Sequence, residues 1–338
     1  MMNEKLSRRG LLAGLGTASL LAPFSRASAF IESFETSSAK PFRVAFLTDM
    51  HIMDAPVRAD EGIAFTLDHL SKQEVQPDLI IVGGDNLTGT MGRDLAGATS
   101  MRDRWTKVFR DKVKGPVLYC AGNHDHWGWN KTGSKSTGNE PLWGKNFARD
   151  MLQLDKLYYS VERGGWKFIV LDSVQPFESR YIGGLDAEQW EWLKGEIKSD
   201  LPTVITSHIP ITGISPLVVD GTPGETSHAV PFGSTFKNMY DVVALIADHS
   251  NVKLALSGHI HFEESVTFSG TTYWNGGAVS GAWWLTSTAD ANRRTQRNPG
   301  PIPRLARANP GYSLLDLSPN GEFKIQQVAS GWKGATSR

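Results

Sequence analysis

The sequence predicts an α/β fold: a four-layer α-β-β-α sandwich of two mixed sheets with flanking helices. Three observations lead there. After Pro41, short apolar runs alternate with segments of helical spacing. That βαβαβ start gives way to hairpins and further β segments, an order that calls for two sheets packed face to face with helices outside. Finally, five short polar clusters each follow an apolar run directly: Asp49-Met50-His51, Gly84-Asp85-Asn86, Gly122-Asn123-His124-Asp125, Ser207-His208 and Gly258-His259-Ile260-His261. Sites in α/β sheets lie just past the carboxyl ends of strands, so these clusters mark one edge of the fold.

The elements follow in order. Phe42–Thr48 reads as a strand, and Arg58–Glu74 as a helix with Ile63, Leu67 and Leu70 on one face. Leu79–Val82 is the next strand, Thr99–Lys112 a helix, and Gly115-Pro116 stops it before the strand Val117–Cys120. Tyr158–Glu162 and Lys167–Asp172 flank Arg163-Gly164-Gly165-Trp166 as a hairpin. Asp186, with Gln189 three residues on, opens a helix carrying Trp190 and Leu193. Strands at Thr203–Thr206 and Val252–Leu256 enclose a helix near Phe236–Ala247. Four β pieces close the chain: Glu264–Phe268, Thr271–Trp274, Tyr312–Leu317 and Glu322–Val328. Two long loops, His126–Glu140 and the arginine- and proline-rich Thr286–Pro310, interrupt this order.

Composition narrows the function classes. The 338 residues carry equal numbers of acidic and basic side chains. Without residues 1–29 there are 31 basic and 34 acidic residues, a net charge of −3, which argues against broad nucleic-acid binding. The single cysteine, Cys120, excludes an internal disulfide and reads as a small core residue at a strand end. At the N-terminus, Lys5, Arg8 and Arg9 precede an apolar stretch from Leu11 to Ala22, too short to span a bilayer. Ala27-Ser28-Ala29 then reads as a cleavage site. Ser7-Arg8-Arg9-Gly10-Leu11-Leu12 resembles a twin-arginine export signal. The expectation is a signal peptide over 1–29, a linker over 30–41, a periplasmic or secreted protein, and the twin-arginine export machinery as a partner.

Asp, His and Asn side chains from five strand ends suit two divalent metals, and two metals suit phosphate ester hydrolysis. In this order the motifs Asp-x-His, Gly-Asp, Gly-Asn-His-Asp and Gly-His-x-His resemble the calcineurin-like metallophosphoesterase superfamily, from about Phe42 to His261. Carried over by position, the resemblance implies one metal at Asp49, His51, Asp85 and His261. A second would lie at Asp85, Asn123, His208 and His259, with Asp85 as the bridge. It implies two transition-metal ions (Fe, Mn or Zn), in-line attack of a metal-bridging hydroxide on a phosphate mono- or diester, and a single catalytic domain over 42–338. His124 would contact substrate and Asp125 would orient it. Asp85-Asn86-Leu87-Thr88 begins like the purple acid phosphatases. Thr88, however, stands where those enzymes have a metal-binding tyrosine, and they lack a histidine at the place of His51. The start and end motifs look more like bacterial cyclic-nucleotide and glycerophosphodiester phosphodiesterases.

Three further residues are candidate substrate contacts: His126, Trp127 and His228. Trp283 and Trp284 follow the Gly276-Gly277-Ala278 turn, where aromatics near a catalytic crevice can stack on substrate, and Trp284 reads as core packing or a loop staple. Candidate substrates are a phosphorylated small molecule, a lipid head group or a cell-envelope polymer. A metal-bound, non-catalytic scaffold and a hydrolase of a non-phosphate ester are the alternatives.

Overall fold

Strand β1 (Phe42–Leu47) shows how one short apolar run builds two layers of core. Its side chains alternate: Val44 and Phe46 pack towards a second sheet, Ala45 and Leu47 towards helices. The structure is a computed structural model that describes residues 40–53, 58–281, 283–284 and 309–333. The expected signal peptide, most of the linker and the five arginines of the 286–310 loop lie outside the described residues.

Helix α1 (Arg58–Ser71) leads to β2 (Leu79–Val82), and α2 (Leu95–Trp105) to β3 (Val117–Tyr119). Next come α3 (Lys131–Ser134), α4 (Lys145–Leu152), and a hairpin of β4 (Tyr159–Arg163) and β5 (Trp166–Val170). A second hairpin, β6 (Val174–Phe177) and β7 (Arg180–Gly183), precedes α5 (Ala187–Glu196) and β8 (Thr203–Thr206). Between β8 and α7 (Met239–Ala247) run α6 (Ser215–Val219) and the short pair β9 (Thr222–Pro223) and β10 (His228–Ala229). The chain continues through β11 (Val252–Ser257), β12 (Glu264–Phe268), β13 (Thr271–Asn275), β14 (Gly311–Leu317) and β15 (Phe323–Ala329).

One sheet has the order β15-β14-β1-β2-β3, the other β12-β13-β11-β8-β5-β4. β1, β2 and β3 are parallel to one another, as are β5, β8, β11 and β13, so their carboxyl ends share an edge within each sheet. Between the sheets Val44, Phe46, Ile81 and Leu118 meet Phe168, Val170, Val204 and Leu256. Outside the first sheet, Ile63 of α1 and Met101 and Trp105 of α2 cover Leu47, Ile80 and Val82. Outside the second, Leu193 of α5 and Val242 and Ile246 of α7 cover Ile169 and Ile205. The expected four layers and mixed sheets are therefore present. Cys120 is fully buried between the sheets, where burial pushes its thiol up.

The departures are local. The helix expected over Thr99–Lys112 begins earlier, where the Asp94 side chain accepts a hydrogen bond from Gly97 N. After Trp105 it widens into a π turn over Thr106–Arg110, which leaves Trp105 and Phe109 stacked 5.7 Å apart and buried. The His126–Glu140 loop holds α3, capped by the Asn130 side chain. Glu140 ties its far end, accepting from the backbone N–H groups of Thr137 and Gly138. At Asp186 the expected cap is present, its carboxylate accepting from Gln189 N at 2.9 Å.

Candidate metal centre

Two strand-end loops of the first sheet run side by side: Asp49 N donates to Gly84 O at 2.9 Å and His51 N to Asp85 O at 3.0 Å. The other clusters close over them, and two glycines permit the approach. A side chain on Gly122 would fall on the backbone and carboxylate of Asp85; one on Gly258 would fall on Thr48 Oγ1 and the Asp49 carboxylate. Asp49, His51, Asp85, His259 and His261 all take left-handed backbone with φ between 50° and 75°. That conformation is uncommon for non-glycine residues, Asp and His tolerating it better than most, and five such residues together mark a backbone held by its surroundings, as at binding sites.

The seven expected ligands come together. Asp49, His51 and His261 form one group, Asp85, His208 and His259 another, each with its donor atoms within 4.8 Å of one another. In the first, His261 Nε2 lies 3.0 Å from His51 Nε2 and 3.2 Å from Asp49 Oδ1. In the second, His208 Nε2 lies 3.2 Å from Asp85 Oδ2 and 3.1 Å from Asn123 Oδ1. Asp85 Oδ2 also sits 3.8 Å from His51 Nε2, so this carboxylate faces both groups.

Backbone carbonyls select the histidine tautomers. His208 Nδ1 meets Gly83 O at 2.9 Å, His261 Nδ1 meets Gly281 O at 2.8 Å, and His259 Nε2 meets Gly233 O at 2.9 Å. A carbonyl only accepts, so those three nitrogens carry the hydrogens, and in the neutral form of each ring the other nitrogen is left bare. For His208 and His261 that bare Nε2 points at the carboxylates. Bare imidazole nitrogens converging on carboxylates, each oriented through its outer nitrogen, are what a cation site needs. The second nitrogen of His51 is 3.4 Å from Thr88 Oγ1, so the residue standing where purple acid phosphatases have tyrosine contacts a candidate ligand from outside.

The electrostatics agree. Burial drives the Asp49 carboxyl up, but the imidazoles of His261 and His51 outweigh it and hold it well below the usual carboxylate range. Burial likewise opposes Asp85, and His208 and His124 overcome it. Burial pushes His51 down to about 4 and His259 to about 3, keeping both neutral. His208 is the exception: burial works to lower it, yet the Asp85 carboxylate raises it to about 9. Its proton is what a divalent ion would displace, as metal binding at such sites releases protons. The donor set thus fits one metal at Asp49, His51, Asp85 and His261 and a second at Asp85, Asn123, His208 and His259.

His124 has a side chain 26% exposed, with Nε2 3.9 Å from Asp85 Oδ2. Its Nδ1 accepts the backbone N–H of Gly89 at 2.8 Å, so the neutral ring carries its hydrogen on Nε2, towards the crevice. Asp125 does not orient it. That buried carboxylate accepts from Leu87 N at 3.0 Å, Asn86 Nδ2 at 3.1 Å and Gly122 N at 2.9 Å, tying the loop after Asp85 to the Gly122 turn. Burial and the nearby Asp85 push the Asp125 carboxyl up to about 7.

The substrate-contact expectations need correction. Trp127 is 2% exposed, packs in the core beneath the first sheet's helices, and donates its indole N–H to Arg93 O at 2.8 Å. Its neighbour Trp129 is buried too and stacks on His126, with ring centroids 4.7 Å apart. His126 has no exposed surface, and burial pushes it down to about 3. In the short 3-10 turn Asn123–Asp125, His124 stays part-exposed while Asn123, Asp125 and the following His126 are buried. His228 is exposed on β10, its Nε2 3.2 Å from Leu217 O.

What does line the approach is a crevice of about 390 Å³. It is lined by Asp85, Asn123, His124 and His259 of the centre and by Tyr181 of β7 and Trp283. Val219, Asp220, Pro231 and Ser234, from the segment between β8 and α7, line it as well. Sequence reasoning missed Tyr181, Asp220 and Ser234, which carry no local motif. The backbone places them: Gly183 N donates to Phe232 O and Lys237 N to Gly183 O at 2.8 Å, joining β7 to the segment after β10.

Comparison with known proteins gives this arrangement a family. A family model of calcineurin-like phosphoesterases matches residues 42–263. A probable cyclic nucleotide phosphodiesterase of Synechococcus sp. is 27% identical over 241 residues, covering 68% of this chain and 77% of that protein. A 3',5'-cyclic-nucleotide phosphodiesterase of Nostoc sp. is 25% identical over 229 residues, covering 66% and 73%. Among solved structures, a dimetal phosphatase from Danio rerio superposes with a TM-score of 0.56 at 14% identity, covering 86% of this chain and 97% of that one. GAP50, the anchor in the inner membrane complex of Plasmodium, gives 0.51 at 14% identity, covering 87% and 86%. These two likenesses are of fold. The chain is a phosphoester hydrolase and belongs to the calcineurin-like phosphoesterase family.

Proposed function

We propose that this chain is a two-metal phosphodiesterase that acts outside the cytoplasm on small phosphodiesters such as cyclic nucleotides. The observation that carries the reading is the pair of ligand groups, Asp49–His51–His261 and Asp85–His208–His259, with Asp85 Oδ2 also 3.8 Å from His51 Nε2 and histidine nitrogens oriented by backbone carbonyls in each. Two divalent ions held there would polarise the phosphoryl oxygens and supply a nucleophile at neutral pH. The rest of the chemistry belongs to the protein. Asn123 adds an oxygen donor without adding charge. His124 offers its Nε2–H to a phosphoryl oxygen. It acts as a neutral donor and not as a general acid, because a proton on Nδ1 would point at the Gly89 N–H. Tyr181 and Trp283 give the alcohol part of the ester two aromatic walls.

Two things favour a diester over a monoester. Both curated relatives are named as cyclic nucleotide phosphodiesterases. The described residues lining the crevice include no lysine or arginine to balance the second charge of a monoester, and they do include Asp220. The test is a panel with added Mn²⁺: bis(4-nitrophenyl) phosphate, 3',5'-cyclic AMP, 4-nitrophenyl phosphate and 4-nitrophenyl acetate. Turnover of the two diesters ahead of the monoester is expected. A preference for the monoester would overturn the diester reading, and hydrolysis of the acetate alone would overturn phosphate chemistry.

The location outside the cytoplasm rests on Ser7–Leu12 and Ala27-Ser28-Ala29. Replacing Arg8 and Arg9 by Lys is expected to trap precursor inside the cell, since the twin-arginine route reads that pair. Undiminished export would point to the general secretory route.

A further inference from the structure

The two halves of the candidate centre differ in how they meet the crevice. Asp85, Asn123 and His259 line it, whereas Asp49, His51 and His261 do not. Asp85 and Asn123 at 2% and His208 at 0% are as buried as Asp49, His51 and His261 at 0%, 0% and 2%, so the halves differ in crevice lining and not in total burial, and the latter three take no part in that lining. What stands between them and the crevice is Trp283. Its indole stacks on the His51 ring with centroids 3.6 Å apart and planes 27° apart, lies nearly parallel to the His261 ring at 5.2 Å, and turns its edge to His124 at 5.3 Å. It is itself a crevice-lining residue.

The segment that carries Trp283 is fastened to this half of the site. Val279 N donates to Thr48 O at 2.8 Å and Ser280 N to Asp49 O at 3.1 Å, so it tracks the Asp49 loop. Gly281 O takes the Nδ1–H of His261. The next residue, Trp284, is 3% exposed and donates its indole N–H to Met50 O at 2.7 Å. Gly62 of α1 leaves room for that indole, since a side chain there would fall on it. Trp283 and Trp284 both hold left-handed backbone, with φ of 62° and 60°, which bulky residues adopt only where the surroundings impose it.

We propose that Trp283 is a fixed aromatic cap over the Asp49–His51–His261 half of the metal centre. It keeps the ion of that half out of exchange with solvent and leaves exchange and substrate entry to the Asn123–His208–His259 half. The inference rests on the two-metal reading of the preceding subsection and adds to it an inequality between the two ions, set by one side chain.

The experiment is metal release from the full mature protein loaded with Mn²⁺. Metal content is measured first, then release into excess chelator is followed with a metal indicator. Wild-type protein is expected to lose its ions in two phases of about one ion each. Trp283→Ala is expected to speed the slow phase about tenfold or more, on the order of what removing a residue that supports metal ligands costs. The fast phase should stay as it was. Trp283→Phe should restore a slow phase, which separates capping from a general loss of structure, and thermal unfolding of each variant checks folding. Asp49→Asn should abolish the slow phase and so identify its ion. A single release phase for both ions in the wild type would overturn the cap, as would a slow phase unmoved in Trp283→Ala. A wild-type protein that holds fewer than two ions would instead overturn the two-metal reading, a result separable from the first two because content is measured before release.

Discussion

The two halves of the candidate centre each bring two histidines and an oxygen donor, and are enclosed differently. Around Asp49, His51 and His261 every side chain is buried, both flanking loops are tied by backbone hydrogen bonds, and an indole closes the open side. Of Asn123, His208 and His259, the first and last line a crevice while His208 is fully buried, and the segment between β8 and α7 lines the same crevice. Two of the outer partners follow this division: His261 is oriented by Gly281 of the capping turn and His259 by Gly233, between crevice-lining Pro231 and Ser234, whereas His208 is oriented by Gly83 at the end of β2. A change in the crevice wall should reach the open half through Gly233 and leave the enclosed half alone.

The largest effect that tests this division is at the residue common to both halves. Asp85→Ala is expected to empty the centre and cost more than the about 10²–10⁴-fold that a single acid–base group contributes. Elemental analysis showing two ions retained would remove Asp85 from the bridging position. His124→Ala comes next. It should keep its metals and lose about 10²–10³-fold in turnover, the range for one donor to developing charge. Because His124 is read as a neutral donor, the loss should be the same for esters with good and poor leaving groups. A loss confined to poor leaving groups would restore the general-acid role.

Gly258→Ala sharpens the comparison at the enclosed half. The added methyl would press on Thr48 and Asp49, so a destabilisation of about 1–3 kcal/mol is expected, as for overpacked sites. Denaturant unfolding and metal content should both fall, with the slowly released ion lost first. The smallest effect is expected at His228, exposed on β10 and outside the crevice lining. His228→Ala should change stability by less than about 0.5 kcal/mol and leave KM for cyclic AMP within about twofold, roughly 0.4 kcal/mol. A KM raised tenfold would put His228 back in contact with substrate.

Much of the fold was legible because its signals are local. Leu79–Val82 and Thr203–Thr206 are short apolar runs, and both are strands with the bounds that the pattern indicates. Asp186 caps α5 because a short carboxylate at that place reaches the Gln189 N–H without help from the rest of the chain. Less legible were α4 and the β6–β7 hairpin. α6 and the β9–β10 pair within the segment between β8 and α7 carried no pattern at all. These elements take their form from what they pack against. β6 and β7 are mostly half-buried or exposed and so lack the apolar run that marks the central strands.

The site divides along the same line. The seven residues brought together at the centre stand in five clusters, each set by its own strand end, and a parallel sheet must bring the ends of neighbouring strands to one edge. That much the sequence determined by itself. Which way the side chains beside them point was decided only by tertiary structure. Asp125 spends its carboxylate on Leu87, Asn86 and Gly122, and Trp127 turns into the core, though both adjoin catalytic candidates in the chain. Trp283 reaches His51 across more than two hundred positions, and Asp220 lines the same crevice as Asp85 from another part of the chain. A strand end is fixed by neighbours in sequence. A cap or a wall is fixed by whichever segment the packing of two sheets leaves over it, and spacing along the chain does not encode that contact.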